Sequence, residues 1–398
     1  MECRFVSSDS TGKNTFSNAM PSAQSAKVMI KKTLPLLAAA FFTVNSFAHY
    51  VPDNEYAITN TTDLPIVVET KGPVRAPAPT KASPDMKVSG QGFWKFIAAR
   101  NLVPVPAAVP SVKQAHGTII VDKRTDTVYW GLQSVGWIGF SNKLRDSWIV
   151  AGNSAFTNGN LHGADILPQG GRHPARIAAA DNMSGKIYLT DTEFQKVETL
   201  VKPDFGSYAT TKGFAPTDAA FTGGKELWVV DGYAQQRIIP ADLNPLKWQG
   251  VHYGGGERFS KTTHGITYDK THDDLLVSAR PEGLLKRVHR EDRLLTEILG
   301  LPKGTWLCDV DVWGDYALAA CLDGPNKTPG PLHIINLKKH TLVATIKPKE
   351  ELGYEDAQHM HDAAWYVTGK GKEQEVYILF TNWNPGGIGA LKLVNIAD

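Results

Sequence analysis

The chain has 398 residues, of which 42% are hydrophobic and 21% charged, with a formal net charge of +2. That balance supplies a large core and excludes a basic nucleic-acid binder or an acidic disordered chain. Thirty-six glycines, 24 prolines and 10 tryptophans suit many short strands joined by tight turns better than long helices.

The first element in chain order is an export signal. Met29-Ile30-Lys31-Lys32 precedes the apolar run TLPLLAAAFFTV and then Ser46-Phe47-Ala48, which are the charged, apolar and small-x-small parts of a cleavable leader. The apolar run is too short for a spanning helix. Residues 1–48 are therefore read as leader and signal peptide, with Met29 as an alternative start and cleavage near Ala48. The mature protein is expected to be periplasmic or secreted, with no membrane span. Residues 49–115 form an irregular N-terminal extension. It holds one short strand candidate, Ile66-Val67-Val68-Glu69, and two Pro-rich passages at 75–86 and 102–112, where proline offers no donor to a strand ladder.

From His116 the pattern becomes regular. GTIIVD, TVYWGL, GWIGF and SWIVAG make a first four-strand unit, followed by a Gly- and Asn-rich insert from Asn153 to Arg172. Further units open at Arg176, Thr217, His264, Cys308 and His361, at roughly the blade-length intervals of propeller repeats. One such unit cannot bury both faces of its sheet, whereas a ring of them can. Residues 116–398 thus predict an all-β, six-bladed β-propeller. The sixth unit shows only three strands before the C-terminus, so closure of the ring calls for one more, and Ile66–Glu69 is the candidate.

With Cys3 in the leader, Cys308 and Cys321 remain. Gly314-Asp315 reads as a hairpin turn, and stepping outward from it places the two cysteines opposite each other. A cross-strand disulfide and two buried free thiols are both open. Trp130, Trp137, Trp148 and Trp228 are read as packing between blades, and Gly254-Gly255-Gly256 as a turn.

The first strand of each blade lines the central channel, so the strand openings converge at one end. In register they are His116-Gly117, Arg176-Ile177, Thr217-Asp218, His264-Gly265, Cys308-Asp309 and His361-Asp362. His116, His264 and His361 share one position, and imidazoles converging on an axis suit a divalent metal. His162, His173 and His359 lie near the same openings as substitutes. His252, His272, His289, His333 and His340 are assigned to solvated outer strands and turns.

The run PTDAAF…LWVVDGYAQQRI, from Pro216 to Ile238, resembles the blade signature of NHL-repeat propellers, and more narrowly that of peptidyl-α-hydroxyglycine α-amidating lyases. The resemblance covers roughly residues 170–398. It implies a zinc centre with His264 and His361 as two of three ligands. It also implies Tyr233 as the catalytic base and Arg280 as a catalytic and substrate-binding cation that holds a carboxylate. Where the family has its remaining zinc histidine, the register places Ala175-Arg176. Arg176 is accordingly assigned to substrate binding, and His116 to the metal.

The function expected is that of an exported, divalent-metal-dependent lyase or hydrolase acting on a small carboxylate-bearing substrate, with zinc or a similar ion as cofactor. One alternative is a non-catalytic propeller that binds a peptide, glycan or envelope protein through the 153–172 insert and the extension. A second is a calcium-dependent lactonase- or esterase-like propeller, disfavoured by an inner ring whose carboxylates are few (Asp218, Asp309 and Asp362). Expression of the full chain in a bacterial host should give a mature protein that begins at His49 by N-terminal sequencing; a product that keeps Met1 or Met29 would refute the leader.

Overall fold

The computed structural model describes residues 61–73, 80–81, 86–110, 116–152, 154–170, 174–255, 259–370 and 373–395. The leader, its cleavage site, Cys3 and His173 lie outside the described residues. None of the helices described is long and apolar enough to cross a membrane.

Short strands rich in Val, Ile, Ala and aromatic residues, joined by Gly- and Asp-containing turns, pair with their immediate neighbours in sequence. The result is six sheets, antiparallel within each blade, two of which gain a short parallel edge strand from the N-terminal extension. Blade I comprises Gly117–Asp122, Thr127–Leu132, Gly136–Ser141 and Asp146–Ile149; blade II comprises Leu161–Leu167, Arg176–Asp181, Lys186–Thr190 and Val197–Leu200. Blades III, IV and V open with Asp218–Phe221, Thr263–Asp269 and Leu307–Trp313, and blade VI with Met360–Thr368. The inner strands contact one another in the ring order I–II–III–IV–V–VI and back to I. Each of the six apolar clusters is shared by two adjacent blades. Trp365, Trp94 and Leu318, for example, join V to VI, and Ala178, Leu189 and Val229 join II to III. Burial is thus between blades rather than within one, as expected for a closed ring of two-faced sheets. The protein is an all-β six-bladed propeller.

Ring closure differs from the sequence expectation. The fourth strand of blade VI is Trp94–Ala98, antiparallel to Gly387–Asn395 with Phe96 opposite Leu393, and Ser89–Gln91 pairs beyond it. Trp94 and Phe96 alternate inward and are fully buried, whereas Ile66, Val67 and Val68 are 73%, 43% and 55% exposed. The apolar alternation needed to close a core is present at 94–98 and missing at 66–69. Ile66 instead makes a single parallel bridge with Leu342, and Glu69 accepts hydrogen bonds from Tyr316 Oη, Asn336 Nδ2 and Lys339 Nζ at 2.8, 2.9 and 2.8 Å. This stretch is a strap across the outer edges of blades IV and V.

The second blade also opens elsewhere than expected. Its inner strand is Leu161–Leu167, inside the supposed insert, and Arg176 begins the second strand. The sequence LHGADIL lacks a continuous apolar face because one side of an inner strand lines the polar channel. In blade V the hairpin at Gly314-Asp315 has the expected register from Trp313–Tyr316 out to Asp309–Ala320. A bulge then removes Cys308 from the ladder, so that Leu307 faces Cys321 and the cysteines are buried free thiols. Trp130, Trp137 and Trp228 pack between blades, while Trp148 is 39% exposed. His333 is buried on a middle strand against Thr345 Oγ1 rather than solvated, and burial lowers its pKa to about 4.

Trp94→Ala should lower unfolding free energy by about 3–5 kcal/mol, as for a fully buried large aromatic, whereas Ile66→Ala should stay within about 0.5 kcal/mol. Equal losses in urea denaturation would contradict closure by Trp94–Ala98.

Candidate metal centre

Neighbouring inner strands are tied together by side chains that cross to the next strand's backbone. Asp165 Oδ2 of blade II accepts from Phe221 N of blade III at 2.8 Å, and Asp218 Oδ2 of blade III from Ile266 N of blade IV at 2.8 Å. Asp311 Oδ2 accepts from Trp365 N at 2.7 Å, and Asp362 Oδ2 from Ile119 N at 2.6 Å. Histidines perform the same crossing one layer nearer the mouth. His162 Nδ1 donates to Thr217 O at 2.8 Å, His264 Nδ1 to Cys308 O at 3.0 Å, and His361 Nδ1 to Gly117 O at 3.3 Å. These three histidines stand on blades II, IV and VI, alternate positions of a six-membered ring. Two are followed by Gly163 and Gly265, where a Cβ would collide with the carboxylates of Asp218 and Asp309.

A carbonyl only accepts, so each of the three rings carries its proton on Nδ1 and turns a bare Nε2 inward. His361 Nε2 lies 3.2 Å from His162 Nε2. Tyr233 Oη is 3.0 Å from His162 Nε2 and 3.1 Å from His264 Nε2, and it accepts from Arg280 Nη1 at 3.0 Å. The phenol has one proton to give, so at most one of the three Nε2 lone pairs receives a donor from it. His162, His264 and His361 are buried, and burial first, then competition with the neighbouring imidazoles and, for His264 and His361, the Arg280 charge, holds all three pKa values well below the usual histidine range. They are neutral at pH 7, the form that binds metals. Burial raises the Tyr233 pKa, and Arg280 offsets part of that rise, so the phenol keeps its proton.

His116 joins this group differently. Its ring centre is 4.7 Å from that of His162 and 4.8 Å from that of His361, and ring nitrogens of these three lie within 4.8 Å of one another. Its Nδ1, however, accepts from Asn160 Nδ2 at 3.2 Å, which leaves the ring proton on Nε2. It has the opposite tautomer to the other three.

Of the residues singled out in the sequence, Tyr233, Arg280, His264, His361 and His116 come together. Arg176 does not: it donates to Glu198 Oε1 at 2.9 Å and to Leu243 O at 3.3 Å, on the second strand of blade II and away from this cluster. His162 takes the place that the register had given to Ala175-Arg176. The dipeptide His-Gly at 116, 162 and 264 was the signal that would have found it. His359 lies beside Asp323 at 3.5 Å and the Trp383 ring at 5.9 Å, at the rim.

Below the histidines, Asp218, Asp309 and Asp362 line the channel. It then widens to a cavity of about 470 Å³ that includes Asp165 and Asp311. Burial raises the pKa of all five carboxyls, to about 6 for Asp165 and Asp362. Asp165, Asp218, Asp311 and Asp362 are already engaged with backbone N–H groups, so the arrangement does not favour the calcium reading.

No protein-family profile and no curated protein sequence matches the chain. Among solved structures, it is similar to Saccharomyces cerevisiae Sqt1 (7% identity, TM-score 0.44, covering 68% of this chain and 69% of that one). It is similar to a chain of a nidogen/laminin complex (12% identity, TM-score 0.48, covering 69% and 97%) and to the Neurospora crassa Pan2 WD40 domain (12% identity, TM-score 0.45, covering 78% and 87%). Likenesses this distant say nothing about activity.

Asp218→Ala removes the acceptor of two backbone donors, Ala219 N and Ile266 N, and should cost about 2–4 kcal/mol in chemical denaturation. Arg176→Ala, which breaks a surface pair, should cost no more than about 1 kcal/mol; the reverse order would refute the cross-blade role of the aspartate.

Proposed function

We propose that His162, His264 and His361 bind one zinc or similar divalent ion, and that the protein is a metal-dependent lyase or hydrolase acting on a small carboxylate-bearing substrate. The observation that carries this reading is the pair of bare Nε2 atoms of His162 and His361, 3.2 Å apart in a buried site. Two lone pairs at that distance repel each other unless a cation lies between them. Nitrogens bound to one tetrahedral zinc at its usual bond length stand roughly 3.3 Å apart. The backbone carbonyls behind each ring fix tautomer and orientation, the outer-shell arrangement that metal-binding histidines require.

Three neutral imidazoles keep the ion's full positive charge, and such an ion, when bound, polarises a hydroxyl or lowers the pKa of a water. The chain's own groups supply the rest. Arg280 is a fixed cation at the mouth, able to hold a carboxylate through two N–H groups. Tyr233, with its oxygen next to two of the proposed ligands, would act as base in the phenolate form that an ion bound beside it favours, and as phenol it can return a proton. The interval from His264 to Arg280 and the Asp-Gly-Tyr run match the amidating-lyase pattern, and His162 now fills that pattern's third histidine. Export follows from the leader reading, and the substrate is proposed at the level of its carboxylate alone.

Elemental analysis of the purified protein should find about one zinc per chain, and His162→Ala, His264→Ala and His361→Ala should each abolish it, while Arg176→Ala should not. Added zinc should raise the melting temperature of chelator-treated protein. Metal-free protein whose melting is indifferent to zinc would overturn the proposal.

A further inference from the structure

We propose that His116 touches the substrate rather than the metal. The site would then take a small molecule with two polar ends, a carboxylate facing Arg280 and an acceptor oxygen facing His116. This inference rests on the metal reading above.

The fold does not need an imidazole at position 116. The crossing bonds from blades II, IV and VI end on backbone carbonyls, those of Thr217, Cys308 and Gly117, and none of them uses the His116 side chain. The proposed ligand set does not need it either, because the alternation of blades II, IV and VI is already complete. The His116 ring is nevertheless held firmly. Trp383 stacks on it with centres 5.7 Å apart and planes 26° from parallel. Asn160, which fixes its Nδ1, is itself fixed by Nδ2 donation to Asn182 Oδ1 at 2.8 Å and by its own N–H to Asp181 Oδ1 at 3.0 Å. Gln133 is a further side-chain partner of the ring.

The position of the ring is as specific as its support. Tyr233 bridges His162 and His264, whereas His116 neighbours His162 and His361. The two therefore flank different sides of the histidine cluster. With Nδ1 occupied as an acceptor, the other ring nitrogen carries an N–H whose acceptor is the Gln133 side chain, so a substrate meeting it must offer an oxygen acceptor that takes or shares that place. Arg280 Nη1, Tyr233 Oη and His162 Nε2 follow one another in steps of 3.0 Å, with the His116 ring next in line. A molecule of a few carbons spans that distance. A buried N–H that loses its acceptor discriminates strongly against molecules lacking one.

The test is to titrate acetate and oxamate into cobalt(II)-loaded protein and follow the visible spectrum of the metal. Acetate offers a carboxylate alone, and oxamate adds the second polar end. His116→Ala should keep one cobalt per chain and an unchanged starting spectrum, bind acetate as wild type does, and lose about tenfold in oxamate affinity, equivalent to about 1.4 kcal/mol. His116→Gln, which keeps a donor and similar bulk, should recover part of that loss and guards against a folding defect in the alanine variant. Loss of cobalt or a changed starting spectrum in His116→Ala would make His116 a ligand and overturn the proposal; so would unchanged oxamate binding, or equal losses for the two probes. Failure of the underlying metal reading is recognised separately, by His264→Ala keeping as much cobalt as wild type.

Discussion

The structure depends on side chains of each inner strand reaching the backbone of the next. A propeller's inner strands converge on an axis, where their channel-facing sides have no apolar partner to pack against and where exposed backbone groups would be costly. Aspartates at 165, 218, 311 and 362 meet the next blade's N–H groups, and histidines at 162, 264 and 361 meet its carbonyls. Carboxylates can only accept, and a neutral imidazole has one donor, so each layer chooses its residue type by the backbone group it must satisfy. The histidine layer has a second consequence. Giving Nδ1–H to a carbonyl leaves Nε2 bare, and the bare nitrogens of His162 and His361 come within 3.2 Å of each other while Tyr233 Oη stands between those of His162 and His264. The bonds that tie neighbouring blades therefore also set the tautomer and orientation of these rings.

The fold was legible in the sequence because strand pairing is local. Strands such as LWVVD and VYILF are short, continuous apolar runs buried on both faces and bounded by turn residues, so five of the six blade openings fall where these runs place them. The two misplacements have one physical origin each. Leu161–Leu167 is an inner strand whose channel side carries His162 and Asp165, and that polarity disguises it as loop. Trp94–Ala98 lies about 290 residues from its partner Gly387–Asn395, and no local pattern reports a pairing so distant.

The site was partly legible for the same reasons. Tyr233, Arg280, His264 and His361 lie on well-marked blades. His162 was hidden with its strand, and Arg176 was promoted in its place. The disulfide alternative failed at one residue: a bulge at Cys308 shifts its side chain out of the ladder, and counting outward from a turn does not reveal a bulge. That same bulged residue offers the carbonyl that orients His264.

Blade VI is built from distant parts of the chain: Trp94–Ala98, which precedes blade I in sequence, completes the sheet begun by Met360–Thr368. His361 sits on that sheet's inner strand, so the third proposed ligand belongs to the last blade to be made. During synthesis the early strand must wait, unpaired, until nearly every other residue has emerged. On the proposed reading, metal binding therefore reports completed folding: a truncated or unclosed chain retains His162 and His264 but does not bring His361 to meet them. An ion held by His162, His264 and His361 would in turn tie blades II, IV and VI together, and by binding the closed ring alone it would favour closure over the open chain.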